Sequence, residues 1–347
     1  MLGTVTALNL AEVALAARRR LDPVHWDFFA GGAGDERTVR ANEEAFQRCR
    51  IVPRVLRGAG PRELRTTLLG TQMSMPVLMA PTAFHRLADA GGEAATARAA
   101  AGAGVVMVVS MAATQPIEQI AATGATLWFQ LYPQPDHSFT TAVIRRAEAA
   151  GCRALVVTVD SPVFGRRERD LRNGFLDLPA GLVCENLRDS TGVVRDIVMD
   201  AALDWDRIAR LQATTRLPVV LKGILHPADA RLAVEHGVDA LIVSNHGGRQ
   251  LDGVVSTLEA LPAIVEAVGG RLPILLDGGI RRGTDALTAL ALGATAVALG
   301  RPIVWGLALG GTSGVRHVLE LVRAELDAAL ALAGAARPAE LSPELVG

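Results

Sequence analysis

A histidine followed by an arginine is the first feature of this sequence that could do chemistry. His246 and Arg249 lie in SNHGGRQLD, Ser244 to Asp252, directly after an aliphatic segment. A neutral imidazole can remove a proton near neutral pH, and a guanidinium can pair bidentately with a carboxylate. Asp160, which follows another aliphatic segment, would orient the imidazole and stabilise its charged form. The three residue types together predict proton abstraction beside a carboxylate, and the other six histidines are interpreted as structural.

Lys222 ends a third aliphatic segment. Its ammonium would be partly desolvated there and would need an anionic partner or a shifted pKa. From the residues alone, two chemical roles remain open: a Schiff base with a carbonyl substrate, and a positive charge beside the electron-rich edge of a reduced cofactor. A structural salt bridge is the third interpretation.

Two glycine-containing segments near the C-terminal end of the chain predict a phosphate site. They are Asp277-Gly278-Gly279-Ile280-Arg281-Arg282-Gly283 and Gly300-Arg301-Pro302. Glycine lets backbone N–H groups approach an anion closely, and the loops after the seventh and eighth strands of a barrel are a recurrent phosphate site. A phosphorylated cofactor or substrate is therefore expected.

These residues follow short aliphatic segments that alternate with helical segments along the chain. The eight segments are Val77 to Ala80, Val105 to Val108, Leu127 to Gln130, Leu155 to Val159, Pro218 to Lys222, Ala240 to Ser244, Pro273 to Asp277 and Ala296 to Gly300. Buried strands that alternate with helices are typical of a parallel sheet, and eight such units favour an α/β fold, a closed (β/α)8 TIM barrel. All eight strands would then present a polar or backbone-binding group at one mouth, the face where barrel enzymes carry their active sites.

The chain is predicted to be a single domain over 1–347. Residues 1–70 would form an N-terminal helical cap, 77–335 the barrel, and 171–202 a long loop inserted after the fourth barrel strand. Loops of this length at the C-terminal face are commonly functional.

Composition excludes several other classes of function. The 35 basic and 36 acidic residues leave a net charge of −1 without long blocks of one sign, so no nucleic-acid groove or polybasic membrane patch is expected. Three cysteines without metal-ligand spacing predict a reducing cytoplasm and no metal site. The uncharged stretch Ala99 to Ile117 contains too many glycines and polar residues for a membrane span.

The motif SNHGGRQLD resembles the FMN-dependent 2-hydroxy acid oxidase and dehydrogenase family. Four further motifs support the resemblance in the same order along the chain: APTAFHRL at Ala80 to Leu87, TVDSPVFGRR at Thr158 to Arg167, LKGI at Leu221 to Ile224 and LDGGIRRGTD at Leu276 to Asp285. Glycolate oxidase, lactate oxidase, mandelate dehydrogenase and hydroxymandelate oxidase belong to this family. The resemblance implies FMN as cofactor and oxidation of an L-2-hydroxy acid to the 2-oxo acid.

Residue by residue, the resemblance makes His246 the catalytic base and Asp160 its partner. Arg249 and Arg167 would bind the substrate carboxylate, and Tyr132 would bind the hydroxyl and carboxylate region. Lys222 would lie beside the flavin pyrimidine edge, which disfavours the Schiff base. Other flavin contacts would come from Pro81, Thr82, Ala83, Ser110, Gln130, Thr158 and Ser244, and phosphate contacts from Asp277, Gly278, Gly279, Arg281, Gly300 and Arg301.

Two positions depart from the glycolate oxidase pattern. Phe28 stands where that enzyme has a carboxylate-binding tyrosine, and Ala112 stands where it has a bulky tryptophan. Phe28 is also similar to the pattern of hydroxymandelate oxidases. Both changes make a pocket less polar or roomier, which favours an aromatic or bulky substrate of the mandelate or 4-hydroxymandelate type.

The resemblance leaves the second half of the reaction open. Oxygen as acceptor, giving hydrogen peroxide, is favoured over a quinone or other acceptor because the insertion has no long apolar segment. An IMP dehydrogenase-like phosphate-binding barrel, with Cys184 as its nucleophile, is an alternative of another class, and a non-catalytic flavin-storing barrel is a third. The family implies a homotetramer or homo-octamer.

Overall fold

The computed structural model describes residues 7–347, and its centre is a closed barrel of eight parallel strands. The strands are β3 Val77–Met79, β4 Met107–Ser110, β5 Leu127–Leu131, β6 Leu155–Thr158, β7 Val219–Ile224, β8 Ala240–Val243, β9 Ile274–Asp277 and β10 Ala296–Leu299. Each strand pairs with its neighbour in the chain, and β10 closes the barrel against β3. All eight overlap the predicted segments, so the predicted TIM barrel is confirmed.

Aliphatic side chains fill the barrel interior because both faces of each strand are buried. One interior cluster contains Leu78, Val108 and Val156, together with the large ring of Trp128, all at most 2% exposed. Continuous apolar strands of this kind fit a sheet that helices cover from outside.

A short antiparallel hairpin packs onto this interior cluster. Its strands, β1 Thr66–Leu68 and β2 Thr71–Met73, place Leu68 and Met73 in the cluster. Leu69 and Gly70, the turn residues, both have positive φ, as two-residue hairpin turns of type I′ require. The hairpin was not predicted, because three-residue strands are too short to show a period in the sequence.

Twelve helices surround the barrel or cap it in the part of the chain that the structure describes. They are α1 Leu10–Arg20, α2 Pro23–Ala30, α3 Arg37–Arg48, α4 Gly92–Ala103, α5 Ile117–Ala121, α6 His137–Ala149, α7 Glu168–Arg172, α8 Trp205–Thr214, α9 Pro227–Glu235, α10 Thr257–Val268, α11 Gly283–Ala291 and α12 Arg301–Ala333. Helix α12 bends at Gly310 and Gly311, whose backbone angles are not helical. Across residues 7–347, no helix has both the length and the apolarity to cross a membrane.

The connection between β6 and α8 is the long loop of the fold. It covers residues 159–204 and includes α7 and a 3-10 turn at Glu185–Leu187, so the predicted insertion 171–202 lies within it. Arg169 on α7 contacts Asp27 at 3.1 Å and Glu36 at 2.5 Å, which ties this loop to the N-terminal helices. The loop and the N-terminal segment thus form one continuous wall at the mouth of the barrel.

Candidate active site

A cavity of about 650 Å³ opens at the C-terminal ends of the barrel strands. Every predicted site residue lines it except Asp160 and Ser244. These two lie one layer behind the wall, where Asp160 contacts His246 and Ser244 contacts Lys222. Among the described residues, His246 is the only histidine that lines the cavity.

His246 is held on both sides of its imidazole ring. Its Nδ1 lies 2.9 Å from Oδ1 of Asp160, and its Nε2 lies 3.3 Å from the hydroxyl oxygen of Tyr132. Its backbone N–H donates to Oγ of Ser244 at 3.1 Å. Its φ of 58° lies in the left-handed region, which a residue with a Cβ adopts only where neighbours hold it there. Residues that follow β6 and β5 therefore set the ring orientation, and Ser244 after β8 holds the backbone.

The electrostatic environment favours a neutral imidazole beside an ionised carboxylate. Burial lowers the pKa of His246 below its ordinary value of 6.5, although the negative charge of Asp160 opposes this shift. Burial would raise the pKa of Asp160, but its contact with His246 and the positive charge of Lys222 outweigh burial and lower that pKa to about 2. Since Asp160 accepts the proton on Nδ1, the free lone pair of the imidazole is on Nε2.

Arg249 and Arg167 bring two buried guanidinium groups to the cavity wall. Nη1 of Arg249 donates to the carbonyl oxygens of Phe28 at 2.6 Å and Gly31 at 2.9 Å, and the guanidinium lies 5.0 Å from the centre of the Phe28 ring. Burial lowers the pKa of both arginines, and the charges of Arg167 and Arg301 lower that of Arg249 further. Nε of Arg167 is buried without a hydrogen-bond partner. Two desolvated cations with a free donor favour an anionic ligand at this position.

Lys222 belongs to a compact buried network with two residues of neighbouring strands. Its Nζ donates to Oγ of Ser244 at 2.9 Å and lies 3.5 Å from Oδ2 of Asp277, while Oγ of Ser244 donates to Oδ1 of Asp277 at 2.6 Å. Burial opposes the charged ammonium, but Asp277 and Asp160 more than compensate and raise its pKa. Lys222 thus keeps a fixed positive charge at the cavity floor, and the Asp277 carboxylate is already engaged with it.

The amide of Gln130 is oriented by hydrogen bonds to two adjacent strands. Its Oε1 accepts from Oγ of Ser110 at 3.1 Å and from the N–H of Met111 at 3.3 Å, and its Nε2 donates to Oγ1 of Thr158 at 3.1 Å. Such a connected network keeps these polar groups rigid at the predicted flavin position.

The segment after β3, Pro81–Ala83, forms another part of the wall. Oγ1 of Thr82 lies 2.5 Å from Nε2 of His85, whose Nδ1 lies 2.9 Å from Oγ1 of Thr96 on α4. His85, interpreted as structural from the sequence, therefore anchors this segment to a surrounding helix.

The predicted phosphate loops meet at one end of the cavity. Gly278 and Gly279 have φ of 94° and 88°, which residues with a Cβ rarely adopt. A Cβ at Gly279 would lie 2.2 Å from the backbone oxygen of Asn42, so only glycine fits there. Gly300 immediately precedes α12, and backbone N–H groups at a helix N-terminus attract anions.

The two predicted phosphate arginines already have partners in the structure. Nη2 of Arg281 lies 2.8 Å from Oε1 of Glu43. Arg301 donates to the carbonyl oxygens of Phe29, Gly247 and Gly31 at 3.1, 2.9 and 2.8 Å. Burial, with the charge of Arg281, lowers the pKa of Arg301 to about 10. Arg301 thus joins the phosphate end of the cavity to the segment that also holds Arg249.

Sequence reasoning missed an aromatic cluster that lines the cavity. The Phe28 ring lies 5.2 Å from the ring of Phe84, which follows β3, and 5.2 Å from the ring of Phe175, which belongs to the long loop. Ala112 lines the same cavity, and its small side chain leaves space beside the aromatic cluster. No local pattern connects these three phenylalanines, because each comes from a different part of the chain.

The surroundings of Cys184 test the alternative in which this residue is a nucleophile. Cys184 lines the cavity, as that alternative requires, but burial raises the pKa of its thiol to about 12. A nucleophilic cysteine needs a lowered pKa so that the thiolate is present. The surroundings of Cys184 therefore disfavour it as a nucleophile.

The fold and the site define a class of protein: a TIM-barrel enzyme with a buried proton acceptor, two buried arginines and an anion-binding end. A model of the FMN-dependent dehydrogenase family matches residues 17–347. The chain belongs to this family, and its cofactor is FMN. The predicted family, cofactor and enzyme class, an FMN-dependent oxidoreductase, are confirmed.

Individual relatives cover almost the whole chain. The chain is 47% identical to L-lactate oxidase of Nostoc sp., over 94% of each sequence. It is 44% identical to 2-hydroxyacid oxidase 2 of Mus musculus, over 99% of each sequence. Its structure matches a crystal structure of mandelate oxidase with (S)-2-phenylpropionate at a TM-score of 0.92 and 43% identity, covering 99% of this chain and 98% of that one. The names of these relatives give different substrates.

The residues of the cavity fit FMN. Its volume of about 650 Å³ lies within the roughly 300–1,000 Å³ of small-molecule sites. Gly278, Gly279 and Gly300 provide backbone suited to a phosphate, and Lys222 provides a buried positive charge suited to the flavin pyrimidine edge. The amide of Gln130 adds a further fixed polar group to the cavity lining.

Proposed function

We propose that this protein oxidises an L-2-hydroxy acid to the 2-oxo acid. The observation that carries the proposal is the arrangement of His246, with Nδ1 engaged by Asp160 and Nε2 at the cavity, beside two buried arginines. FMN, when bound, supplies the two-electron acceptor. Each turnover removes two electrons and two protons from the substrate.

Each side chain at the cavity would have a separate role in substrate oxidation. Arg249 and Arg167 bind the carboxylate and set the position of the neighbouring carbon. Nε2 of His246 accepts a proton from the substrate, and Asp160 stabilises the imidazolium that results. Burial raises the pKa of Tyr132, so its hydroxyl stays protonated and can donate a hydrogen bond. Lys222 stabilises negative charge that develops at the cavity floor.

The substrate we propose carries an aromatic or bulky apolar group of the mandelate type. Phe28, Phe84 and Phe175 offer such a group an aromatic surface, and Ala112 leaves room beside it. The likeness to mandelate oxidase also supports this choice. Burial of a phenyl ring against these side chains is favourable by about 25 cal/mol per Å².

Oxygen is the acceptor that we propose, with hydrogen peroxide as product, since the named relatives are oxidases. Cys49, Cys152 and Cys184 are all free, which supports a reducing location such as the cytoplasm. A homotetramer or homo-octamer stays a prediction.

One experiment tests these parts separately. The purified FMN-loaded protein is mixed anaerobically with (S)-mandelate, L-lactate or glycolate, and bleaching of the flavin is followed by stopped flow. The proposal expects bleaching, and it expects the highest kcat/KM for mandelate when steady-state turnover is then measured with the acceptor present. Bleaching by none of the three acids would overturn the proposed function, and equal kcat/KM values would overturn the aromatic preference. Reoxidation by oxygen rather than by a quinone separates the oxidase from the dehydrogenase.

A further inference from the structure

A buried pair of amide side chains ties helix α3 to the loop that carries His246. Nδ2 of Asn42 donates to Oδ1 of Asn245 at 2.9 Å, and Nδ2 of Asn245 donates to Oδ1 of Asn42 at 2.8 Å. The two residues are 2% and 4% exposed and stand 203 positions apart. Such hydrogen bonds are electrostatically strong when water is absent.

Backbone groups use the remaining hydrogen-bonding capacity of Asn245 and the second acceptor position of Asn42. The N–H of Thr257 donates to Oδ1 of Asn42 at 3.3 Å. The N–H of Gly248 donates to Oδ1 of Asn245 at 3.2 Å, and Nδ2 of Asn245 donates to the carbonyl of Val255 at 3.2 Å. These backbone groups decide which atom of each amide is oxygen. Neither amide can turn over without leaving a buried group unsatisfied.

The loop that follows Asn245 needs such an anchor because its backbone is unusual. His246, Gly247 and Gly248 all have positive φ, at 58°, 63° and 75°. Helix α3 packs directly against this loop, since a Cβ at Gly248 would lie 2.7 Å from the backbone nitrogen of Val39. A strained conformation persists only where the surrounding structure over-determines it.

We propose that Asn42 is a positioning residue for His246: its side chain, acting through Asn245, holds the loop that aims Nε2 into the cavity. The inference rests on the proposed role of His246 as the base. The backbone oxygen of Asn42 separately faces Gly279 in the phosphate loop. The side-chain amide of Asn42 also lies beside Gly278, where a Cβ would be 3.2 Å from its Nδ2. Removing the side chain should therefore disturb the base loop most and the phosphate end of the FMN site less.

The test compares Asn42→Ala with the wild type, both loaded with FMN. The rate of flavin reduction should fall about 10- to 100-fold, because small displacements of a reacting group carry large kinetic penalties. KM for the 2-hydroxy acid should stay within about 3-fold, as expected when the loss occurs in the transition state. The dissociation constant for FMN, measured by flavin fluorescence, should rise by a smaller factor than the reduction rate falls, because the backbone of Asn42 that packs against Gly279 remains.

The pH profile supplies a readout that a loss of stability alone would not change. The groups that face His246 are Asp160, Lys222, Arg167 and Tyr132. Burial is the main influence on the imidazole, so a loosened loop should move the acid limb of kcat/KM to higher pH, toward 6.5. A reduction rate within about 3-fold of wild type and an unmoved limb would overturn the inference.

Further variants keep the test decisive. Asn245→Ala and the double variant with Asn42→Ala should show non-additive losses, because both substitutions break the same contact. If Asn42→Ala fails to fold, Asn42→Asp decides: it keeps the acceptor for Thr257, but it replaces the donor to Asn245 by a second acceptor and adds a buried charge, so it should disturb the loop as well. Asn186→Ala is the matched control: this amide, 1% exposed, contacts Ile117 and Ser110, so its pH limb should not move. If the wild type oxidises no 2-hydroxy acid, the proposed function is wrong. If the wild type is active and Asn42→Ala is equally active, only the role of Asn42 is wrong.

Discussion

Nδ1 of His246 lies 2.9 Å from Oδ1 of Asp160, and this contact decides which nitrogen of the imidazole can act as a base. Because the pKa of Asp160 is about 2, its carboxylate is ionised at every pH at which the enzyme would work. An ionised carboxylate only accepts hydrogen bonds, so the Nδ1 proton stays on the imidazole. Nε2 is then left as the proton acceptor, next to Tyr132 and the cavity.

Replacing His246 by alanine should remove the base while leaving the cofactor site intact. We expect the flavin reduction rate to fall by about 10³-fold or more, within the range of general base catalysis and loss of the group that stabilises the transferred proton. Anaerobic stopped-flow bleaching measures this rate. His137→Ala, an exposed histidine at the start of α6, is the control and should reduce at the wild-type rate. A nearly normal rate in His246→Ala would refute the assignment.

The pH dependence should follow from the lowered pKa of His246. Only the neutral imidazole accepts a proton, so kcat/KM should fall with decreasing pH, with an apparent pKa below 6.5. Asp160→Asn removes the charge that opposes the effect of burial, and the limb should move to still lower pH while the rate falls by about 10²-fold. Steady-state profiles of both proteins between pH 4 and 9 check this. A wild-type limb at or above 6.5 would contradict the burial argument.

The pair of Lys222 and Asp277 should be mutually dependent. Lys222→Met leaves a carboxylate that is 6% exposed without its cation, and we expect a loss of about 3 kcal/mol in the free energy of unfolding. Adding Asp277→Asn removes the unpaired charge and should restore part of the stability. Urea unfolding of the FMN-free proteins, followed by circular dichroism, measures both changes. The absence of any recovery in the double variant would show that the ion pair is not the cause.

The contacts of Arg169 should hold the long loop against the N-terminal helices. Arg169→Ala breaks its ion pairs with Asp27 and Glu36, so KM for the 2-hydroxy acid should rise several-fold and proteolysis within the loop should accelerate. Arg172→Ala is the matched control on the same helix, because its partner Glu168 is local and its side chain is 71% exposed. Equal KM values and equal proteolysis rates for the two variants would show that the contacts of Arg169 do not hold the loop.

The space beside Ala112 should set the preference for bulky substrates. Ala112→Trp fills this part of the cavity, so kcat/KM for (S)-mandelate should fall at least about 10-fold, the usual effect of lost space in an apolar pocket. Glycolate, which is small, should be affected much less. The ratio of the two kcat/KM values is the measurement, and an unchanged ratio would place the aromatic group elsewhere.

Much of the fold was predictable because parallel barrel strands are buried on both faces. Each strand therefore appears as a short aliphatic segment, and the polar residue at its end marks the active-site mouth. Lys222 and Asp277 were recognisable in this way, since charged residues rarely end apolar segments without a partner. The motif around His246 added the family and its cofactor.

Contacts between distant segments were not predictable, and they complete the site. The amide pair of Asn42 and Asn245 joins positions 203 residues apart, and nothing local to either residue indicates the other. The cluster of Phe28, Phe84 and Phe175 likewise forms only in the folded protein, because its members come from a helix, the segment after β3 and the long loop.

Residue periodicity and motif spacing predicted the barrel, the family and the residue types of the active site, because burial and the ends of strands leave local patterns in a sequence. Tertiary structure alone decided the orientation of those residues. It placed Asp160 and Ser244 behind His246 and Lys222, and it decided through Asn42 how the base loop is held. The physical reason is that orientation depends on hydrogen bonds and packing between elements far apart in the chain, which form only in the folded protein.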